Sequence, residues 1–310
     1  MRVAIVGLGG IAAKAYLPLL TAREGLELLP CSRSADIVDR TRARYRLPDG
    51  ATDLDQVLGW KPQAAFVLTP SPTHGPIARK LLEAGVDVLV EKPATLRSGD
   101  TRALAELADA TGRVLMVGFN RRFAPLHRKA RELWAGRSVG TCLVEKHRSD
   151  AAHASLLENY LEDTIHAIDT LRFFCGEGEA LATAQRVSDG RLRSAVTLVR
   201  LDGGGQAMLA TSLESGAWAE RVSLHGEGTR LDLDAFSGLR WEAGGEEKSW
   251  REEYASGWRP TLEARGFSQQ VAHFLECVET RRPPLTSGWE AYRTQLLLES
   301  MVAAAAPSGT

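Results

Sequence analysis

Val3-Ala4-Ile5-Val6-Gly7-Leu8-Gly9-Gly10-Ile11-Ala12, at the start of a 310-residue chain, reads as a buried strand, a glycine turn and the opening of a helix. The turn has the spacing GxGxxA. Gly7 permits a tight turn, and Gly9 lets the backbone approach a pyrophosphate. Ala12 allows close packing of helix on strand, and the first helical N–H groups are left to meet phosphate oxygens. In this strand–turn–helix setting the hexamer predicts a dinucleotide site built from Gly7, Gly9, Gly10, Ile11 and Ala12.

Outward from the turn, the chain alternates apolar runs with helical periodicity. Residues 2–7, 27–32, 64–69, 86–90 and 114–118 are short and almost continuously apolar. Residues 11–23, 36–45, 74–84 and 98–111 carry helical spacing, with Ser98 as an N-cap and Gly85 and Gly112 as stops. Such strands, separated by helices, require a parallel sheet covered on both faces. After about residue 122 the rhythm changes. Helices are expected over 125–135 and 158–174, with strands over 142–146, 181–187, 195–201, 206–212 and 222–225. Two further helices follow over 266–280 and 289–304, and the last residues, 307–310, read as a frayed tail. Asp202-Gly203-Gly204-Gly205 supplies the positive-φ positions of a tight strand connection. The expected class is α/β: a doubly wound Rossmann domain over 1–122, then an α+β domain with a largely antiparallel sheet over 123–310.

Composition narrows the function. The chain is 44% hydrophobic and 25% charged with a net charge of −1, which gives no electrostatic case for nucleic acid or an anionic membrane. No apolar run approaches the roughly 20 residues of a membrane span, and the first residues lack a signal-peptide layout. Cys31, Cys142, Cys175 and Cys277 are far apart and form no CxxC, so reduced thiols in a cytoplasm fit best. The seven histidines show no zinc spacing. No GxSxG elbow is present for acyl transfer.

The end of the second strand speaks to the cofactor. NAD sites place an acidic residue there for the ribose 2′-hydroxyl, whereas NADP sites use arginine or small polar residues. Here the chain reads Cys31-Ser32-Arg33-Ser34, with no carboxylate before Asp36. Arg33 suits a 2′-phosphate and Ser32 can add a hydrogen bond, so NADP is expected, with NAD the alternative.

Glu91-Lys92-Pro93 ends the fourth apolar run. Ligands of open α/β sheets bind beyond the carboxyl ends of the strands, where the Lys92 ammonium could meet a substrate oxygen whose charge changes. Pro93 holds the preceding residues extended and permits a cis bond. With the glycine turn, Thr69-Pro70-Ser71-Pro72-Thr73-His74 and Gly118-Phe119-Asn120-Arg121-Arg122-Phe123, this order of motifs resembles the glucose–fructose oxidoreductase / inositol dehydrogenase / MocA (Gfo/Idh/MocA) family over nearly the whole chain. The resemblance implies NAD(P)-dependent oxidation or reduction at a carbinol or carbonyl carbon of a sugar or cyclitol. It implies a second domain whose open sheet flanks the active site and often forms oligomers, here a dimer or tetramer. It places Lys92 in catalysis, and Thr69, Pro70, His74, Glu91, Asn120 and Arg122 near the cofactor.

The family's second catalytic element is an acid and a histidine one helical turn apart. It maps onto Leu161-Glu162-Asp163-Thr164-Ile165-His166-Ala167-Ile168-Asp169. On a regular helix Glu162, His166 and Asp169 share a face, and Asp163 lies three residues from His166. His166 is the expected general acid/base, oriented by Asp163 or by Glu162, which stands where the family commonly has Asp. Arg121 and Tyr160, with His166, are expected at the substrate, and His147-Arg148 at its border. Trp258 is expected on a loop over the site. The rival function is a noncatalytic NADP-binding sensor of the same fold. Retention of both Lys92 and His166 speaks against it.

Overall fold

The computed structural model describes residues 1–149, 153–251 and 261–305. The chain divides into two compact units, Met1–Phe119 with Phe267–Tyr292, and Asn120–Gly266 with Arg293–Thr310.

In the first unit β1 (Arg2–Val6), β2 (Glu27–Cys31), β3 (Ala64–Val67), β4 (Asp87–Val90) and β5 (Leu115–Val117) form one sheet in the order β2-β1-β3-β4-β5. Every pairing is parallel. Val3, Ala65, Phe66, Val88 and Leu89 have no exposure, as a sheet covered on both faces requires. The strand order switches direction between β1 and β3. In such sheets the crevice beyond that switch point takes the ligand.

Local departures from expectation have identifiable causes. The helix after the glycine turn is not regular: Ala12–Tyr16 forms a wide π turn before the α-helix Leu17–Thr21, with Leu17 N–H reaching back to Ala12 O. Pro18 has no N–H with which to continue the narrower ladder. An unexpected helix, Leu54–Gly59, is capped by Asp53, whose carboxylate accepts from Gln56 N at 2.8 Å. Arg97, rather than Ser98, takes the extended cap position of helix Ser98–Thr111.

Helix Phe267–Thr280 also belongs to the first unit, although the sequence pattern runs a second domain from 123 to 310. Its Phe274 ring meets Phe66 of β3 edge-on at 5.1 Å, and its Phe267 ring meets Tyr16 at 5.8 Å. A buried phenylalanine contributes about 1.5–3 kcal/mol, so the returning helix is a substantial part of this core. Periodicity shows that a helix has an apolar face but not which sheet will cover it.

In the second unit β6 (Thr141–His147), β7 (Gly178–Ser188), β8 (Arg191–Leu201), β9 (Gln206–Ser212), β10 (Ala219–Gly226), β11 (Thr229–Asp234), β12 (Gly238–Ala243) and β13 (Glu246–Arg251) form a mixed sheet. Its order is β13-β12-β11-β10-β6-β9-β8-β7. Only β6 and β9 pair in parallel. Strands β11 to β13 were not expected, because many of their outward residues are charged and their buried apolar residues are just Leu231, Leu233 and Leu239. The helical segment expected over 158–174 is broken into Leu156–Asn159, a wide turn Tyr160–Thr164 and helix Ile165–Cys175.

Among the described residues no helix is long and apolar enough to cross a membrane. The Trp258 segment and residues 307–310 lie outside the described residues.

Candidate active site

The glycine turn has the shape a dinucleotide needs. Gly7 has φ +100°, and a Cβ there would come within 2.6 Å of Leu68 C and 2.7 Å of Thr69 N. Only glycine lets this turn lie so close to the end of β3. A Cβ on Gly9 or Gly10 would meet nothing within 4 Å, so the space before the helix is open. Ala12 is fully buried beneath it. The residues present therefore fit a pyrophosphate-bearing cofactor. Past β2, Ser32 N–H donates to Ala51 O at 3.1 Å. Arg33 is exposed, and Asp36 lies in the first turn of helix Ala35–Tyr45.

The motifs after β3 and β4 are tied together. His74 is 1% exposed and has both ring nitrogens against main-chain carbonyls: Nδ1 is 2.7 Å from Pro93 O and Nε2 is 2.6 Å from Thr69 O. Its polar atoms are thus engaged inside the protein, which removes it as a direct hydrogen-bonding partner of a cofactor. Thr73 Oγ1 donates within the same loop, to Pro70 O at 2.7 Å.

The Lys92–Pro93 peptide is cis. Glu91 is buried, and its carboxylate accepts from Tyr16 OH at 2.5 Å and from Lys92 N–H at 3.1 Å. Gln270 Nε2 donates to Tyr16 OH at 2.8 Å. Burial, reinforced by the Glu91 charge, pushes the Tyr16 hydroxyl well above its ordinary value and keeps it a donor. Gly118 is the floor under Glu91, since a Cβ there would sit 2.8 Å from Glu91 Oε1. The glycine-turn helix, the end of β4 and the returning helix all converge on the carboxylate next to Lys92.

In the second unit His166 is 9% exposed, in the first turn of helix Ile165–Cys175. Glu162 is exposed and Asp163 buried, and the wide turn Tyr160–Thr164 breaks the regular i, i+4 register expected between Glu162 and His166. The Asp163 carboxylate, expected beside His166, is engaged by two cations. It accepts two hydrogen bonds from Arg148, one at 2.9 Å, and lies 3.2 Å from Lys146 Nζ. Burial raises the Asp163 carboxyl, but the Arg148 hydrogen bonds and the Lys146 charge outweigh it and bring the value down to about 2.

Lys146 itself has no exposure. It donates to Asp163 O at 2.8 Å and pairs with Glu220 at 3.1 Å, and Glu220 is also gripped by Arg121 at 2.7 and 3.1 Å. Burial lowers the Lys146 ammonium below its ordinary value. Burial also opposes the Glu220 charge, yet Arg121 and Lys146 hold that carboxyl far below the usual range. The sequence reading missed Lys146. Its signal is a charge at an inward position of the Cys142, Val144, Lys146 alternation.

Other expected site residues are likewise committed within the second unit. Arg121, expected at the substrate, is spent on Glu220. Arg122, expected at the cofactor, forms a paired contact with Asp169 at 2.7 and 2.9 Å. Asp169 also accepts from Thr294, to which Arg172 donates. Asn120 donates to Arg265 O at 2.8 Å. Tyr160, expected at the substrate, has no exposure and its hydroxyl meets Thr197 Oγ1 at 3.0 Å. Among the described residues no group of three His, Cys, Asp or Glu side chains could hold a metal ion.

Comparison with known proteins identifies the family and the fold. Residues 1–119 match the model GFO_IDH_MocA, an oxidoreductase family with an NAD-binding Rossmann fold. The putative oxidoreductase YceM of Salmonella typhimurium is 32% identical over 97% of each chain. The scyllo-inositol 2-dehydrogenase (NAD(+)) of Bacillus subtilis is 24% identical over 94% of this chain and 90% of its own. A dehydrogenase (MviM) from Clostridium difficile superposes with a TM-score of 0.87 at 26% identity, covering 96% of this chain and 97% of that one. The chain belongs to the Gfo/Idh/MocA family of NAD(P)-dependent oxidoreductases.

Proposed function

We propose that the protein interconverts a carbinol and a carbonyl on a sugar, a cyclitol or a close derivative, with NADP preferred over NAD. The observation that carries this reading is the fixed Glu91-Lys92-Pro93 turn at the carboxyl edge of the parallel sheet. Gly7, Gly9, Gly10, Ile11 and Ala12 would hold the pyrophosphate, with Thr69 and Pro70 on the neighbouring strand end. Exposed Arg33 and half-buried Ser32 would receive a 2′-phosphate, and the absence of an acid at the end of β2 favours it. When bound, the cofactor supplies the hydride acceptor or donor.

The chain supplies the rest. The Lys92 ammonium would hydrogen-bond the substrate oxygen and stabilise charge that develops on it. His166 would take the hydroxyl proton in oxidation and return it in reduction. With Asp163 committed to Arg148 and Lys146, Glu162 remains the carboxylate proposed to assist His166. The second unit would bind the substrate. Exposed Val196, Leu198 and Met208 on neighbouring strands β8 and β9 support a homo-oligomer, and four free cysteines support a cytoplasmic setting.

Fluorescence titration with NADPH and NADH, followed by a turnover screen of sugars, cyclitols and their ketones, tests the proposal. Tighter NADPH binding is expected, and Lys92→Ala should lower kcat on the order of 10²–10³-fold. Preferential NADH binding would overturn the cofactor preference. Binding of neither up to about 1 mM, only ~4 kcal/mol of binding energy, would overturn the catalytic reading.

A further inference from the structure

We propose that His74 is a positioning residue for Lys92, bridging two strand ends through both of its ring nitrogens. The inference rests on the assignment of Lys92 to the reaction. Thr69 follows β3 and Pro93 follows β4, and these strands are in register, with Val67 opposite Val90. Their chain ends run side by side at the edge where open parallel sheets bind ligands. His74 opens helix His74–Glu83 and bridges the two, through Nε2 to Thr69 O at 2.6 Å and Nδ1 to Pro93 O at 2.7 Å.

Both partners are carbonyl oxygens, which only accept, so the ring must donate to hold them. His74 itself is 1% exposed, so its contacts to the two carbonyls are made inside the protein rather than to solvent.

The consequence falls on Lys92. Its N-terminal neighbour Glu91 is held by Tyr16, its own N–H is taken by Glu91, and its C-terminal neighbour Pro93 is held by His74. The main chain of Lys92 is therefore fixed from both sides, and the His74 bond references it to Thr69 beside the glycine turn. Reacting groups must be held to a fraction of an ångström, and a misplacement of about 1 Å costs on the order of 10² in rate.

Kinetics on the intact protein test this, comparing His74→Phe and His74→Gln, per folded molecule, with Lys92→Ala. His74→Phe should lower kcat on the order of 10²-fold while cofactor affinity changes little, and His74→Gln, which keeps one amide donor, should recover part of the loss. If Lys92→Ala loses turnover while folded His74→Phe keeps it, the positioning role is overturned and the Lys92 assignment stands. If Lys92→Ala keeps full turnover, the Lys92 assignment is overturned, and with it this proposal. Should His74→Phe fail to fold, His74→Gln decides the matter, because full turnover in a folded variant that cannot span both carbonyls overturns the two-sided clamp.

Discussion

The Lys146 ammonium lies 2.8 Å from the main-chain oxygen of Asp163 and 3.2 Å from its carboxylate, with no exposure to solvent. It is the middle member of a chain of charges running Arg121, Glu220, Lys146, Asp163, Arg148. The contact falls in the wide turn Tyr160–Thr164, immediately before the helix that carries His166. A widened turn shifts the register of everything after it, so the ammonium under this turn bears on where His166 points.

This arrangement predicts an order of stabilities that is not obvious from burial. Replacing Lys146 by Met removes the most buried charge but leaves two intact pairs, Arg121 with Glu220 and Arg148 with Asp163. The cost is then the lost hydrogen bond and imperfect packing, about 1–3 kcal/mol. Replacing Glu220 by Ala leaves Arg121 and Lys146 without their shared counter-charge, at about 3–5 kcal/mol. Urea unfolding should therefore show the larger loss for Glu220→Ala. A larger loss for Lys146→Met would mean the ammonium is worth more than either arginine pair.

Acid should act on the same network. The Asp163 carboxyl lies at about 2 in the folded chain, below an unfolded value of about 3.9. A depressed carboxyl stabilises the fold above the unfolded value, and that contribution is lost as pH falls from about 4 to about 2. It is on the order of 2–3 kcal/mol. The check is the slope of unfolding free energy against pH in this window, which Asp163→Asn should flatten relative to the wild type.

His127 should open a second and earlier acid limb. The ring lies 5.7 Å from Phe236 and 6.3 Å from Phe174, and its Nδ1 has no hydrogen-bond partner among the described residues. Burial lowers its pKa to about 4, more than the nearby Glu220 charge raises it. The fold prefers the neutral ring, so its contribution is complete above the unfolded value of about 6.5 and falls away between there and about 4. The loss is on the order of 3 kcal/mol. His127→Phe should make the urea midpoint nearly equal at pH 7.5 and pH 5, where the wild type declines. An unchanged decline in the variant would place the titrating group elsewhere.

How much of this was legible in the sequence depends on the interaction involved. The five parallel strands were visible because Val3 to Val6, Ala64 to Val67 and Val88 to Val90 are buried on both faces and so are continuously apolar. The glycine turn was visible because Gly7 is a steric requirement. Strands β11 to β13 were hidden by their charged outer faces, although Glu227-Gly228 and Gly244-Gly245, all at positive φ, carry the signature of tight hairpins. The wide turn before His166 was not legible, because the unbroken helical spacing of Leu161, Ile165, Ile168 and Leu171 disguises it. The partners of Asp163, Arg121 and Arg122 were not legible either: ion pairs between residues 15, 99 and 47 positions apart leave no local pattern.

The Tyr16, Glu91 and Gln270 contacts should behave as one unit. Tyr16→Phe keeps the ring against Phe66 and Phe267 but takes a donor from a buried carboxylate, so the loss should reach the upper part of the 1–3 kcal/mol range for an unsatisfied buried group. Gln270→Leu removes only a donor to the tyrosine hydroxyl and disposes of an Oε1 atom that has no partner among the described residues. Its loss should lie nearer 0.5 kcal/mol, at the weak end of net hydrogen-bond contributions of about 0.5–1.5 kcal/mol. Because Gln270 acts through the hydroxyl that Tyr16→Phe deletes, the double variant should lose less than the sum of the two. Thermal unfolding of the four members of this cycle measures the coupling. Simple additivity would show that Gln270 supports the helix Phe267–Thr280 rather than the carboxylate beside Lys92.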